Sequence, residues 1–412
     1  MRISDLAAPE YTPLQRAAIE GAASFPVSLT VEAVLDAARR ETGLSDFGPD
    51  DFRQRLSVWL ESLEEDEGLS PGGRIGNFRD AVRYASQRLR FEDLLRRHPE
   101  IDEVEIDRPI LIAGLPRSGT THLVNLISAD RRLRSLPYWE SLEPIPSLRE
   151  GPGADGLDRR FLRCREAWER TERLTPLLKA MHPMPPDHVH EEIELQGLDF
   201  STYVFEWKAR IPRWRDYYLA HDQRPHYAYL KRVLKALTWM RGPSRWILKS
   251  PQHLEQLVPL YETFPDATIV VTHRDPVSVI ASNVTMLAYG ARMGRSSVDP
   301  PAIASYWIDR IERLLRACVR DRDRIPRERS LDCRFHEFMA DDVAMVERIY
   351  RLADLEMTPG ARRALDDYMA ANPRGKHGRI VYDLKADFGV DPDELRERFG
   401  FYVERFGVRP GA

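Results

Sequence analysis

The sequence predicts an α/β protein with three layers, in which a central parallel sheet carries helices on both faces and a helical addition precedes it. Two observations predict this fold. From residue 107 onward, short apolar runs end in turns with glycine or proline and are followed by helix-like segments, which is typical of parallel strands joined by crossovers. Before that point the chain shows helical spacing without strand-like runs.

The N-terminal region, residues 1–105, is predicted to be helical. Apolar residues recur three and four positions apart in three segments, 29–42, 50–66 and 75–97. The Ser-Pro-Gly-Gly sequence at 70–73 is predicted to break the chain between two of these helices. The main domain then comprises residues 106–412.

Three strand–turn–helix units are visible in the main domain. The predicted strands are 109–113, 245–248 and 267–272. The second and third are separated by the length of one right-handed crossover, so we expect them to lie parallel in one sheet. The C-terminal ends of such strands share an edge, where ligands of open α/β sheets bind. Between the first two units, residues 151–240 are interpreted as helices and proline-rich loops.

The composition is that of a globular protein with a small-ligand site. Apolar residues make up 42% of the 412 residues, and the net charge of −4 argues against a nucleic-acid surface, which needs Lys and Arg on one face. No run reaches the roughly 18 apolar residues that span a bilayer. The first eight residues lack the pattern of a secretory signal and the three cysteines are far apart, so a cytoplasmic protein without disulfides is predicted.

The turn after the first strand, residues 114–121 (Gly-Leu-Pro-Arg-Ser-Gly-Thr-Thr), has the spacing of a phosphate-binding loop, in which N–H groups and a helix N-terminus surround an oxyanion. The lysine that bridges the β- and γ-phosphates in NTP-hydrolysing P-loops is missing. Thr120 takes its place and Arg117 carries the charge. One phosphate carrying a sulfate needs only these N–H donors, one cation, and the hydroxyls of Ser118, Thr120 and Thr121.

On these residues the chain resembles the PAPS-dependent sulfotransferase family, in which PAPS is 3′-phosphoadenosine 5′-phosphosulfate, and in particular the bacterial branch similar to tyrosylprotein sulfotransferases. Residues 116–121 match the family's 5′-phosphosulfate loop, which implies that the donor is bound by Arg117, Ser118, Gly119, Thr120 and Thr121. The family's 3′-phosphate signature is an Arg at a strand end with a Ser eight positions later, and Arg274 and Ser282 match it. The resemblance implies a P-loop-like fold, no metal, and an acceptor-side insertion at 151–240.

Two further features extend the resemblance. The loop at 372–382 is similar to the basic loop that closes over the 3′-phosphate, with Lys376 and Gly378 as the best matches and Arg374 as a weaker one. A solvated basic loop is the alternative. Lys249 resembles the family's lysine that stabilises charge on the oxygen between phosphate and sulfate, and a lysine extending from a strand end to solvent is the alternative.

The acceptor must lose a proton, and the sequence leaves the base open between two residues. Glu140, beside two aromatic residues, resembles the glutamate that the tyrosylprotein branch uses, and burial would raise its pKa. His253 is the second candidate, although cytosolic family members place their histidine where this chain has Pro251. Glu140 is preferred. In the mechanism that the resemblance implies, Lys249 and Arg117 stabilise the transition state.

The remaining patterns concern the acceptor. The histidine-rich and acidic stretch at 182–194 is interpreted as a border of the acceptor pocket, because it lacks the second histidine of a His-Glu-x-x-His metal site. The aromatic stretch at 203–229 is interpreted as core and pocket wall. We expect a small-molecule or lipid-like hydroxyl or amine as acceptor. The alternative functions are a P-loop phosphotransferase (kinase), favoured if ATP with Mg²⁺ is turned over, and a catalytically silent PAPS-binding protein.

Overall fold

The computed structural model describes residues 1–153, 155–373, 375–376, 378 and 380–411. The strands in this part of the chain are β1 (Ile110–Gly114), β2 (Leu133–Arg134), β3 (Arg245–Ser250), β4 (Thr268–His273) and β5 (Ser330–Arg334). They form one parallel sheet in the order β2-β3-β1-β4-β5. The predicted central parallel sheet is thereby confirmed, and the C-terminal ends of β1, β3 and β4 meet at one edge.

The described residues also form α-helices on both sides of the sheet and before it. In chain order these are α1 (Pro13–Ala23), α2 (Val31–Thr42), α3 (Phe52–Glu64), α4 (Pro71–Arg97), α5 (Thr120–Ser128), α6 (Tyr138–Leu142), α7 (Arg159–Leu174), α8 (Leu178–Met181), α9 (Ile193–Gln196), α10 (Pro212–Ala220), α11 (Arg224–Arg241), α12 (Leu257–Thr263), α13 (Pro276–Ala291), α14 (Pro300–Asp321), α15 (Phe335–Ala340), α16 (Asp342–Leu352), α17 (Pro359–Ala371), α18 (Leu384–Phe388), α19 (Pro392–Arg398) and α20 (Gly400–Phe406). No helix in the part of the chain that the structure describes is long and apolar enough to cross a bilayer.

The chain is broken between α3 and α4 as predicted, but the break lies at residues 65–70, because the sequence at 70–73 caps and begins α4. Ser70 caps the helix by accepting a hydrogen bond from the Gly73 N–H, and proline is well tolerated at the first helical position. A Cβ on Gly73 would lie 2.2 Å from the Gly294 carbonyl oxygen, so glycine allows the two segments to touch. β2 and β5 were not predicted, since β2 has only two residues and β5 is a half-buried edge strand with a polar sequence.

The N-terminal helices share an apolar core with the sheet and with the insertion. Trp59 of α3 stacks on Phe205 with ring centroids 3.6 Å apart. Beside this stack, the buried carboxylate of Asp199 accepts hydrogen bonds from Arg55 at 2.6 Å, Arg88 at 2.9 Å and His226 at 2.6 Å. These contacts fasten α3 and α4 to the segment at 193–207 and to α11.

The segment that follows β3 is held by a buried ion-pair network. A 3₁₀-helix, Pro251–Glu255, begins directly after the strand. Arg310 of α14 is 0% exposed and donates to Glu255 at 2.6 and 2.7 Å and to Glu206 at 2.9 Å. Because a buried charge is strongly unfavourable without partners, this network fixes the 3₁₀-helix in one position.

Candidate active site

The loop after β1 is folded tightly against β4. A Cβ on Gly114 would lie 1.9 Å from Thr272 Oγ1, so only glycine permits this close approach. Gly119 caps α5 with φ at 86°, a left-handed conformation that favours glycine. The Ser118 hydroxyl donates to the Leu115 carbonyl oxygen at 2.6 Å and lies 2.8 Å from Thr272 Oγ1, so it shapes the loop from inside. The loop thus ends at the N-terminus of α5, whose first N–H groups have no partner within the helix.

Arg117 and Arg274 lie together at this edge of the sheet. Arg274 Nη1 donates to the Arg117 carbonyl oxygen at 2.6 Å, and Arg117 itself has φ at 67°, a strained conformation for a residue with a side chain. Burial and then the Arg117 charge lower the pKa of Arg274. In the described part of the chain, the Arg117 guanidinium has two uncharged hydrogen-bond partners, Ser282 Oγ at 2.9 Å and the Met181 carbonyl oxygen at 2.7 Å. Two such cations side by side suit a bound anion.

Ser282 connects these arginines to the C-terminal loop through a tyrosine. Its hydroxyl donates to Tyr382 Oη at 3.0 Å. The structure does not bring Lys376 to this network, since its exposed ammonium donates to the Ala371 carbonyl oxygen at 3.0 Å. Gly378 is also exposed, with φ at 90°. Arg374 lies outside the described residues. Tyr382 was missed because charge was the signal used in this loop, and tyrosine carries none.

Lys249 links the phosphate-binding loop to the stretch at 182–194. Its side chain is 2% exposed, and its Nζ lies 3.4 Å from Thr121 Oγ1 and forms an ion pair with Glu191. Burial raises the pKa of Glu191, and the Lys249 charge offsets part of this shift. Thr120, the first residue of α5, packs its methyl group against Gly114, 3.0 Å from where a Cβ on that glycine would lie. Glu191 is therefore a partly buried carboxylate beside Lys249, and from sequence it was placed only within the acidic stretch at 182–194, without a catalytic role.

Glu140 is buried at a different place. It is 1% exposed and accepts hydrogen bonds from Arg241 at 2.8 Å and Arg134 at 3.3 Å. Arg134 pairs in register with Trp246, three residues before Lys249 along β3. Since a strand rises about 3.3 Å per residue, Arg134 lies beside β3 at a point roughly 10 Å from Lys249, toward the end of the strand opposite the loop. Glu140 is thus paired with two arginines and does not lie near the Lys249 ammonium.

His253 is fully buried behind β3, and both of its ring nitrogens are engaged within the protein. Nε2 lies 2.5 Å from Glu192 Oε1, and Nδ1 lies 2.8 Å from Tyr227 Oη. The second oxygen of Glu192 accepts a hydrogen bond from the Lys249 backbone N–H at 2.9 Å. His253 is therefore close to Lys249 in the fold, but it has no free nitrogen to accept a proton from a substrate.

Three histidines form a row that begins near the arginines. The ring centroids of His182 and His188 are 5.7 Å apart, and those of His188 and His190 are 5.9 Å apart. Burial lowers the pKa of all three, with a further contribution from the Lys249 charge, and that of His188 falls to about 4. The row is therefore uncharged at neutral pH. Among the described residues, no group of three His, Cys, Asp or Glu side chains is arranged to bind a metal ion.

Comparison with known proteins identifies the family of the chain. Residues 109–359 match the model of the sulfotransferase family. The chain is 23% identical over 318 residues, 73% of this chain and 77% of the relative, to the omega-hydroxy-beta-dihydromenaquinone-9 sulfotransferases Stf3 of Mycobacterium bovis and Mycobacterium tuberculosis.

Two solved structures are similar over nearly the whole chain. Sulfotransferase STF9 from Mycobacterium avium has a TM-score of 0.83 and 25% identity, with 94% of this chain and 99% of that chain covered. Sulfotransferase STF1 from Mycobacterium tuberculosis has a TM-score of 0.78 and 27% identity, with 90% and 98% covered. The fold and the loop define an enzyme of the P-loop-like group-transfer class. The chain belongs to the sulfotransferase family, and the predicted transfer of a sulfuryl group is thereby confirmed.

Proposed function

We propose that this enzyme takes the sulfuryl group from PAPS and transfers it to a hydroxyl group of a lipid-like acceptor, with Glu191 as the general base. The observation that carries the proposal is the position of Lys249, whose ammonium contacts Thr121 of the phosphate-binding loop and Glu191 of the facing stretch. A cation between a phosphate-binding loop and a partly buried carboxylate would have the sulfuryl donor on one side and the base on the other.

The donor is assigned to residues at the edge of the sheet. The N-terminus of α5 and the loop before it would hold the 5′-phosphosulfate, and Arg274 with Ser282 would hold the 3′-phosphate. The close contact of Arg117 with Arg274 supports this, because two phosphate groups of one ligand would balance both guanidinium charges. In the C-terminal loop we prefer Tyr382 as the donor-side residue because of its bond to Ser282, whereas Lys376 and Gly378 stay sequence predictions that no contact among the described residues supports.

The residues also provide for the chemistry of transfer. As the acceptor oxygen attacks sulfur, its proton passes to the Glu191 carboxylate. The bond between sulfur and the bridging oxygen breaks, and adenosine 3′,5′-bisphosphate leaves. Lys249 and Arg117 stabilise the negative charge that develops on the bridging oxygen. Glu191 is preferred to Glu140 and His253 because it alone of the three contacts the Lys249 ammonium.

Two observations support a lipid-like acceptor: the uncharged histidines at the border of the acceptor pocket, and the acceptor of a related enzyme. The row of His182, His188 and His190 is uncharged at neutral pH, which suits an acceptor without charge near its reacting hydroxyl. The similar Stf3 enzymes act on a hydroxylated menaquinone, a lipid. We extend this class of acceptor to the present chain, and we place the enzyme in the cytoplasm because its three cysteines are buried and unpaired.

The test is transfer of ³⁵S from labelled PAPS to hydroxylated isoprenoid and quinone lipids, together with calorimetry of adenosine 3′,5′-bisphosphate and of ATP with Mg²⁺. We expect bisphosphate binding and labelled lipid. Lys249→Ala is the control, and loss of one charge-stabilising group predicts a rate about 10²–10³-fold lower. Binding of ATP with Mg²⁺ but not bisphosphate would indicate a phosphotransferase. Bisphosphate binding without transfer to any acceptor would indicate a silent PAPS-binding protein.

A further inference from the structure

Behind the Lys249–Glu191 pair, a chain of buried polar groups leads away from the site. Glu192 is 0% exposed, and its carboxylate bonds to the Lys249 N–H and to His253. His253 in turn bonds to the hydroxyl of Tyr227. We infer that His253 is a positioning residue, which fixes the Lys249 ammonium against the loop by holding Glu192; this inference rests on the proposed function.

Two consecutive glutamates hold the same lysine at different atoms. Glu191 contacts Lys249 Nζ, whereas Glu192 accepts from Lys249 N at 2.9 Å. Glu192 thus anchors the segment to the main chain of Lys249 at the point where the neighbouring Glu191 reaches the ammonium. The position of the ion pair therefore depends on what holds Glu192.

His253 provides the second bond that Glu192 needs. The short contact of 2.5 Å between Glu192 Oε1 and His253 Nε2 requires Nε2 to donate to the carboxylate. In the neutral ring Nδ1 then accepts from the Tyr227 hydroxyl, 2.8 Å away. Glu192 and His253 each have a hydrogen-bond partner on both sides, which favours one geometry.

The support of His253 is rigid as well. It lies in the 3₁₀-helix Pro251–Glu255, where Glu255 is paired with the buried Arg310. In the same helix, Gln252 Oε1 accepts from the Tyr203 N–H at 2.8 Å. These hydrogen bonds and ion pairs therefore connect Lys249 to the buried core around Arg310 and Tyr203.

Removal of His253 would leave one oxygen of a buried carboxylate without a partner. The carboxylate would then turn or take up a proton, and the Lys249 main chain would lose its bond. Misplacement of a catalytic group by about 1 Å can lower a rate about 10²-fold. Affinity for adenosine 3′,5′-bisphosphate should change little, because Arg274 and Ser282 lie on the other side of β1.

The experiment compares His253→Gln, which retains an N–H near the Nε2 position, with His253→Leu, which has none. We expect kcat about 10²-fold lower for His253→Leu, at least tenfold recovery in His253→Gln, and bisphosphate affinity within about threefold of wild type in both. The acidic limb of the pH–rate profile should persist in His253→Gln. If His253→Leu does not fold, Tyr227→Phe and Glu192→Gln with the same readouts replace it, and wild-type kcat in both would overturn the inference.

Two further outcomes would overturn it. Wild-type kcat in His253→Leu would show that Glu192 needs no support. An equal decrease of kcat in both His253 variants, with loss of the acidic limb from the pH profile of the residual rate, would show that His253 is itself the base. Failure of the proposed function is a separate result, because it would appear as absence of sulfuryl transfer in the wild-type protein.

Discussion

Arg117 and Ser282, 165 positions apart in the chain, are joined by a hydrogen bond of 2.9 Å between Nε and Oγ. The bond connects the loop proposed for the 5′-phosphosulfate to the serine proposed for the 3′-phosphate. Ser282 also donates to Tyr382, so three separate segments meet at one hydroxyl group. A ligand that displaces this bond would engage all three segments together.

Replacement of Ser282 by alanine is expected to weaken binding of adenosine 3′,5′-bisphosphate by about 1 kcal/mol, or roughly fivefold, because one hydrogen bond is lost. Arg274→Lys should cost more, about 1.5–3 kcal/mol, since lysine cannot make a two-pronged bond to phosphate. Isothermal titration calorimetry measures both.

In the C-terminal loop, the effect of Tyr382→Phe on the affinity for adenosine 3′,5′-bisphosphate is compared with that of Lys376→Ala. Tyr382→Phe should weaken bisphosphate binding, because it removes the partner of Ser282. Lys376 is exposed and bonds within its own segment, so its replacement should change affinity by less than about twofold. A larger effect of Lys376→Ala would show that this loop closes on the ligand through its lysine.

Glu191→Gln is expected to lower kcat about 10²–10⁴-fold, as removal of a general base does. Glu140→Gln should leave kcat near that of wild type and lower the melting temperature, because Glu140 neutralises Arg134 and Arg241 in a buried position. Steady-state kinetics and thermal unfolding separate the two effects. The reverse pattern would assign the base to Glu140.

The pH dependence follows from the direction of the Glu191 shift. Burial raises the pKa of this carboxyl group above its ordinary 4.5, and only the ionised form accepts a proton. Activity should therefore increase as the pH rises through the raised pKa of Glu191, and it should be lost at pH values below that pKa. This acidic limb of the pH–rate profile should be absent in Glu191→Gln. If it persists in that variant, another titrating group is responsible for it.

A stability prediction concerns the buried Asp199. Burial alone would raise its pKa, but the hydrogen bond from His226 and the charges of Arg55 and Arg88 hold it below its ordinary value. Its contribution to stability is therefore present above about pH 4 and is lost as the pH falls toward the lower folded value. Asp199→Asn should cost about 3–5 kcal/mol at pH 7, as broken buried pairs do, and less near pH 3. Urea unfolding at the two pH values tests this.

The strands and the loop could be predicted from sequence because their signals are local. Apolar runs followed by glycine-containing turns located β1, β3 and β4 to within two residues. The spacing of residues 114–121 indicated an anion-binding loop, since its geometry is set by neighbouring residues. β2 and β5 lack such runs, and their pairing with the sheet is decided by contacts from other parts of the chain.

The sequence by itself therefore determined the fold class and the sulfotransferase family, and it predicted a donor site around Arg117, Lys249, Arg274 and Ser282. Only the tertiary structure decided which carboxylate faces the ammonium of Lys249. Glu191 is 58 positions from Lys249, and Glu140 lies in a segment with equally suggestive neighbours. The difference between them is that the Glu140 carboxylate is paired with Arg134 and Arg241, whereas the partly buried Glu191 is paired with Lys249. Contacts across such separations depend on how the insertion packs on the sheet, which no local pattern specifies.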